Sequence, residues 1–437
     1  METDLSEQKT KIVGWLLAGE SVLLSGRAGT GKTTLIREII DAIGEKDDGI
    51  IGVCALTGIA SLSICPEATT LHSLFGIGFA DTFEEMKKIS TFKHRRIKEL
   101  KYVIIDEVSM MDGRFFEELD KYLKYVMNNN EFFGGIAVLF VGDFCQLPPV
   151  KDTLKLFKSN LFLENVKHRI ELTHVFRQDE APFLKILTEF RFGKLSRETI
   201  DVLKTRQWKG DSKIIPTTLY PTNDNVDALN QKELDKLKSD LVIFRAIDTE
   251  NGVMMDMDNK IFDKVTLVPK ELQLKIGAQV VHLKNTPGLR NGSRGIVESF
   301  KDGLPVVMFD DGVSCVIESS KTEIIHNKGR RDEIVYCRKQ IPLKLAWALS
   351  IHKSQGMTLD KVIVSFKRAF ADSQMYVAIS RVRTLGGLYI EDLNPRLVHT
   401  NDEVLLFYAQ FDPETMAFCR ENGIVRKRKR DQYTHTK

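Results

Sequence analysis

The chain reads as an α/β protein of two lobes with a small β-rich insertion. Three observations predict this. Strand-length apolar bursts alternate with helical patterns in two separate sets. A glycine-rich loop stands between the first strand and the helix after it. Asp-Gly hairpin-turn signals cluster between residues 294 and 340. The 437 residues, 43% hydrophobic and 28% charged, suffice for a substantial core. At about 150 residues per domain they suggest roughly three units.

The first lobe, residues 1–170, carries Val22-Leu23-Leu24, Ile51 to Ala55, Val103-Ile104-Ile105 and Ile136 to Val141. Helical patterns at Leu35 to Ile43 and Phe115 to Met127 separate them, and near-continuous apolar strands of this kind belong to a parallel sheet covered on both faces. Residues 76–99 interrupt this lobe with a short charged stretch that fits a hairpin, a helix or a protruding loop. The second lobe, residues 171–283 and 341–410, carries Thr218-Leu219-Tyr220, Gln279-Val280-Val281, Val362-Ile363-Val364 and Leu388-Tyr389-Ile390. Its insertion, residues 284–340, holds Asp302-Gly303 and Asp311-Gly312, the latter between Val306 to Phe309 and Val313 to Ile317. Residues 411–437 include the basic run Arg426 to Arg430, which lacks apolar periodicity and is expected to be disordered.

Sixty-three Lys plus Arg against sixty Asp plus Glu leave a formal charge of +3, so any nucleic-acid site must be local. No apolar run approaches the roughly 18 residues of a membrane span, and the start lacks the regions of a signal peptide. The six cysteines lie far apart, with no Cys-x-x-Cys pair and no histidine at zinc spacing. They read as reduced thiols inside a cell, and zinc or iron–sulfur cofactors find no support.

Gly26-Arg27-Ala28-Gly29-Thr30-Gly31-Lys32-Thr33 satisfies the Gly-x-x-x-x-Gly-Lys-Ser/Thr pattern. A strand enters the loop and a helix leaves it, which aims backbone N–H groups at phosphate. The loop therefore nominates Gly26, Gly29, Thr30, Gly31, Lys32, Thr33 and Thr34 for a nucleoside triphosphate, with Lys32 on the β- and γ-phosphates and the Thr33 hydroxyl on Mg2+. Such chemistry also needs a metal carboxylate and a group to activate water. Asp106 and Glu107, at the end of the third apolar strand, supply them: Asp106 toward the metal, Glu107 as general base. Gln146 follows the next strand, so it reaches the same sheet edge and can report on the γ-phosphate.

These segments resemble the Pif/RecD-like branch of superfamily-one helicases, most closely the Pif-type, over most of residues 5–393. The carrying residues include Ala55 to Ala60, Thr70 to Gly76, Phe133-Gly134-Gly135-Ile136, Gly142 to Pro149, Val175-Phe176-Arg177-Gln178, Thr222-Asn223, Asn291 to Gly295, Ser350 to Gly356 and Tyr376 to Val382. The resemblance implies two RecA-like lobes clamping ATP, a wedge at residues 76–99, an SH3-like barrel in the second lobe, and 5′-to-3′ translocation on single-stranded DNA. It makes Gln8 an adenine reader, Arg177 and Arg381 the second lobe's γ-phosphate arginines, and Gln355 a cleft residue coupling nucleotide to DNA. For the strand it implies Thr57, His72, Ser73, His352, Lys353 and Ser354, through hydroxyls and backbone amides. Phe75 or Phe79 would stack a base, although each suits core packing equally. Leu56 stands where these helicases usually carry proline, and Ser373 where glycine is common.

The expectation is thus an ATP- and Mg2+-dependent DNA helicase, acting as a monomer on single-stranded and tailed duplex DNA. With Gln8 almost at the start, little beyond the motor is expected. A DNA-stimulated ATPase that remodels protein–DNA complexes is the main rival, and a small-molecule P-loop kinase a distant one. The basic run Arg426 to Arg430 fits a nuclear-import signal, a DNA tether or a solvated tail; otherwise the setting is the cytoplasm or a viral factory.

Overall fold

Six strands, β1 (Val22–Gly26), β2 (Ile50–Ala55), β3 (Thr69–Thr70), β4 (Leu100–Asp106), β5 (Ala137–Gly142) and β6 (His168–Leu172), form the sheet of the first lobe. Their order is β3-β2-β4-β5-β1-β6 and every pairing is parallel. The computed structural model describes residues 2–77, 80–88, 91–149, 154–210, 214–221, 226–255, 262, 266–326, 334–367, 369 and 372–425. β3 and β6 escaped the sequence reading because one is two residues long and the other, His-Arg-Ile-Glu-Leu, is polar at three of five positions. β4, β5 and β1 are adjacent, so the residues at their carboxyl ends are delivered to one edge.

Leu35, Ile36, Ile39 and Ile43, four residues of one face of helix Lys32–Gly44, are buried against β1 and its neighbours. On the opposite sheet face lies helix Gly113–Met127, capped by Asp112, whose side chain accepts from the Arg114 and Phe115 amides. The Phe-Gly-Gly-Ile segment closes this helix onto β5. Phe133 and Gly134 both have positive φ, and a Cβ on Gly134 would lie 2.6 Å from Met127 Cγ, so only glycine fits. Among the described residues of 76–99 are two short helices, Phe83–Lys87 and Thr91–Ile97, resting on helix Gly113–Met127. The Phe83 amide donates to Glu118 Oε2 at 2.8 Å.

The second lobe holds a four-stranded parallel sheet in the order Ala348–Ser350, Thr217–Tyr220, Val362–Ser365, Leu388–Glu391. Gln279–His282, expected in this sheet, instead pairs antiparallel with Arg294–Lys301 and Leu343–Leu345. A short apolar run reads alike in a parallel sheet and in a β-sandwich core, so the run alone does not choose between them. The antiparallel region is also wider than residues 284–340. Its strands run from Val242–Arg245 to Leu343–Leu345, because Ile247–Glu250 returns to pair with Ile334–Gln340. A buried Arg338–Asp248 pair, two hydrogen bonds of 2.8 and 2.7 Å, fastens that return.

The boundary at residue 410 also shifts in meaning. Helices Asp402–Tyr408 and Pro413–Glu421 straddle the two lobes: Phe407 packs on Phe144 and Phe157, while Phe418 stacks on Phe192 at 4.4 Å. Phe79, Thr222-Asn223 and Arg426 to Arg430 lie outside the described residues. Among the described residues no helix is long and apolar enough to cross a membrane.

Candidate active site

The phosphate loop leaves β1 and ends at Gly31, the N-cap of helix Lys32–Gly44, with φ 83°. Gly29 shares that φ, and a Cβ there would come within 2.6 Å of Arg177 Cβ, so the glycines admit both the turn and the facing lobe. Lys32 Nζ donates to the Gly26 and Arg27 carbonyl oxygens at 2.6 and 3.1 Å. Desolvation pulls the Lys32 pKa down, against the attraction of Asp143, Glu107 and Asp106. Thr30 turns its hydroxyl inward to the Arg27 carbonyl at 2.9 Å, leaving only its backbone for a ligand; Thr33 is half-buried and Thr34 exposed.

Asp106 is the last residue of β4 and is buried. Burial and the neighbouring Glu107 push its carboxyl up to about 7, so a cation beside it is the natural means of keeping it ionised. The Glu107 amide donates to Asp106 Oδ1 at 2.7 Å. Glu107 itself adopts φ 58°, a left-handed conformation that side-chain-bearing residues hold only when their surroundings enforce it. No three His, Cys, Asp or Glu side chains converge on one point among the described residues. One carboxylate and one hydroxyl are what Mg2+ takes from a protein when phosphates and water supply its other ligands, so Asp106 and Thr33 fit.

Gln146, buried past β5, meets the second lobe directly: Arg381 Nη2 lies 3.5 Å from Gln146 Oε1. Arg381 is buried and also donates from Nε to the Val377 carbonyl at 3.2 Å. Arg177 Nη1 and Gln178 Nε2 share the Ser380 carbonyl, at 3.0 and 3.2 Å, which holds the segment ahead of Arg381. Desolvation, then repulsion from Arg381, lowers the Arg177 pKa to about 10. Two cations held together, Arg381 buried and Arg177 partly so, call for an anion between them. Thus Lys32, Glu107, Gln146, Arg177 and Arg381 share one cleft. Gln355, buried with Nε2 unpaired, lines a separate cleft of about 640 Å3 between Arg37 of the first lobe and Lys284, Arg290 and Lys321 of the second. Gln8 is half-buried inside helix Glu2–Leu17, which Lys9 joins to Glu38 of the helix after the loop at 3.3 Å.

Beneath the loop lies a buried polar cluster that no local sequence pattern announces. Arg191 Nη2 donates to Glu171 Oε1 at 2.6 Å and to Asp143 Oδ1 at 3.4 Å. Tyr408 OH contacts Ser25 Oγ at 2.6 Å and Tyr376 OH accepts from the Ala28 amide at 3.2 Å, while at the exposed edge of the cluster Arg27 pairs with Glu414. Only Ser25, Arg27, Ala28, Asp143 and Tyr376 belong to segments with a recognisable pattern, and nothing in the local sequence marks Glu171, Arg191, Tyr408 or Glu414.

The strand-facing candidates divide. Thr57 caps helix Gly58–Ile64, its Oγ1 accepting from the Ala60 amide at 3.3 Å, and stays half-exposed; Ser73 is exposed. His72 stacks on Phe115, and burial lowers the pKa of both His72 and His352, which keeps them neutral near pH 7. Lys353 is half-buried, 3.7 Å from Asp227. Phe75 and Ser354 correct the expectation. Phe75 is 0% exposed within the core, because the turn after helix Leu71–Leu74 points it inward, and it has no face to offer a base. Ser354 is equally buried, its hydroxyl spent on the Ile351 carbonyl at 2.8 Å.

Residues 7–199 match the family described as PIF1-like helicase, residues 259–300 the DNA helicase Pif1 2B domain, and residues 282–408 a family described as Helicase. The chain is 36% identical to the ATP-dependent DNA helicase PIF1 of Xenopus laevis over 94% of its own length and 65% of that protein's. It therefore spans just under two thirds of the length of the curated relatives it matches. Among solved structures, the Pif1 helicase of Candida albicans is 33% identical, with TM-score 0.70 over 92% of this chain and 98% of that one. Pif1 from Bacteroides sp, 28% identical unliganded, gives TM-score 0.79 over 93% and 97%. Bound to single-stranded DNA, at 29% identity, it gives 0.63 over 94% and 97%.

Proposed function

Because the chain belongs to the PIF1-like helicase family, we propose that it is an ATP- and Mg2+-dependent DNA helicase moving 5′-to-3′ on single-stranded DNA. The observation that carries this is the shared cleft. One lobe contributes Lys32, Glu107 and Gln146, the other Arg177 and Arg381, and the Gln146–Arg381 contact of 3.5 Å bridges them. An ATPase whose arginines come from a second lobe hydrolyses only when the lobes close, which links chemistry to movement.

In this reading the loop amides and Lys32 hold the β- and γ-phosphates. Asp106 and Thr33 would hold Mg2+, which when bound neutralises charge on the phosphate oxygens. Glu107 orients the attacking water and accepts its proton. Arg177 and Arg381 stabilise charge on the transferring phosphoryl group, and Gln146 relays its presence to both lobes. Thr57 and Ser73 on one lobe and Lys353 on the other grip the strand alternately. Gln355 couples this to the nucleotide, and Gln8 reads the adenine. The Bacteroides relative was crystallised with single-stranded DNA, and Arg37, Lys284, Arg290 and Lys321 against Glu323 give one cleft a local positive field despite the small net charge. The helices at 83–97 serve as the wedge, the antiparallel strands of 242–345 include the SH3-like module, and the motor acts as a monomer inside the cell.

A strand-displacement assay on 5′-tailed and 3′-tailed duplexes tests this. Displacement of the 5′-tailed substrate alone is expected. DNA-stimulated ATP turnover with no displaced strand would favour the remodelling ATPase, and turnover indifferent to DNA would sink the assignment.

A further inference from the structure

Tyr408 ends a helix more than 260 residues beyond Asp143 in the chain, yet its buried hydroxyl touches both halves of the phosphate-binding edge. Ser25 Oγ lies 2.6 Å away, the Phe144 amide donates to it at 2.9 Å, and it donates to Asp143 Oδ1 at 3.2 Å. A phenol has one proton, and the Asp143 carboxylate can only accept, so the proton goes to Asp143 and Ser25 is the donor to Tyr408. The hydroxyl is thereby saturated. Burial and the carboxylates nearby hold its pKa well above the ordinary value, so it remains a donor. Arg191 lies over the ring at 4.9 Å and donates to the same Asp143 Oδ1 at 3.4 Å.

What the hydroxyl joins matters. Ser25 precedes Gly26, whose carbonyl accepts from Lys32, and Phe144 stands two residues before Gln146. The same helical pair supplies Glu414 to Arg27, whose Nη1 also donates to Thr188 Oγ1 at 3.0 Å. We propose that Tyr408 is a positioning residue for the nucleotide site: its hydroxyl locks the root of the phosphate loop to the turn that carries Gln146, and the helices of residues 402–421 brace the two as one unit. This rests on the nucleotide-binding reading above, though not on strand separation.

The test uses the full chain, steady-state ATP turnover with saturating single-stranded DNA, and thermal unfolding, for Tyr408→Phe, Ser25→Ala and the double variant. Loss of three buried hydrogen bonds in Tyr408→Phe and of one in Ser25→Ala predicts a KM for ATP raised about tenfold and about threefold respectively. Because both remove the same link, the double variant is expected to be no worse than Tyr408→Phe alone. A folded Tyr408→Phe whose KM and kcat stay within twofold of the parent, whatever its melting temperature, overturns the proposal, as do effects that multiply in the double variant. Should Tyr408→Phe not fold, Ser25→Ala decides, since it keeps Tyr408 bonded to Asp143 and Phe144: a raised KM supports the link and an unchanged KM refutes it. A parent chain that hydrolyses ATP without separating strands fails the helicase reading and leaves this test intact.

Discussion

The proposed nucleotide cleft and the surface proposed to face the strand are drawn from the same two lobes, yet they are held together differently. In the cleft, side chains from distant segments bond one another or share acceptors: Arg177 and Gln178 on the Ser380 carbonyl, Arg381 against Gln146. On the strand side, Thr57 bonds its own helix, His72 stacks within its lobe, and Phe75 and Ser354 are buried. Phosphoryl transfer needs charges at fixed points, which only particular side chains supply. A grip on phosphate that ignores sequence needs amides and hydroxyls, which almost any loop can present.

Lys32→Ala probes the difference hardest. ATP turnover should fall by about a hundredfold or more, since the charge proposed to meet the β- and γ-phosphates is gone. Affinity for single-stranded DNA without nucleotide should hold within about twofold, as Lys32 bonds only the loop. Filter binding alongside a phosphate-release assay reads both; a parallel loss of DNA affinity would erase the separation between the two regions.

Phe75→Ala tests the strand side. A fully buried phenylalanine truncated in a packed core costs about 3–5 kcal/mol. A large drop in melting temperature is therefore expected, with an unchanged salt dependence of DNA binding in whatever folds. Near-parental stability with weakened DNA binding would instead return Phe75 to the surface as a stacking face.

Glu171→Gln probes the floor of the cleft. Burial raises the Glu171 carboxyl from 4.5 to about 7, only partly opposed by Arg191. The folded state therefore holds this proton more tightly than the unfolded chain does. Its contribution to stability is full below pH 4.5 and is lost as pH rises through about 7. The glutamine variant lacks that loss, so its stability relative to the parent should improve across this window, at no more than about 1.4 kcal/mol per pH unit. Denaturant titrations at pH 5, 6 and 7.5 check this, and a difference independent of pH would mean that Glu171 stays ionised against Arg191.

Legibility followed the same divide. The phosphate loop, Asp106, Glu107 and the parallel strands could be read because each is local: a spacing, an apolar run, a polar end. Arg177 and Arg381 came only from the resemblance, since an arginine in isolation carries no sign of its partner. Gln279–His282 was assigned to the wrong sheet because partner choice is not written into a four-residue strand. The cluster of Glu171, Arg191 and Tyr408 stayed hidden for the same reason, since its contacts join residues 20 to 265 positions apart with no local pattern to mark them.

The smallest effect is the one where a sequence departure meets its geometry. Ser373, standing where the resembling helicases commonly carry glycine, has φ 62° at the N-cap of helix Gln374–Ile379, the helix that leads into Arg381. Its side chain makes no capping hydrogen bond, while its amide donates to the His399 carbonyl at 3.0 Å, a bond glycine keeps. Left-handed backbone at a non-glycine residue costs of order 1 kcal/mol or more, and glycine's extra freedom in the unfolded chain returns part of that. Ser373→Gly should therefore stabilise by about 0.5–1 kcal/mol and leave turnover unchanged, which a rise of roughly 1–3 °C in melting temperature would register. A fall would mean that the buried hydroxyl contributes more packing than its backbone costs, and that the cleft tolerates strain beside Arg381 because it is held from more than one side.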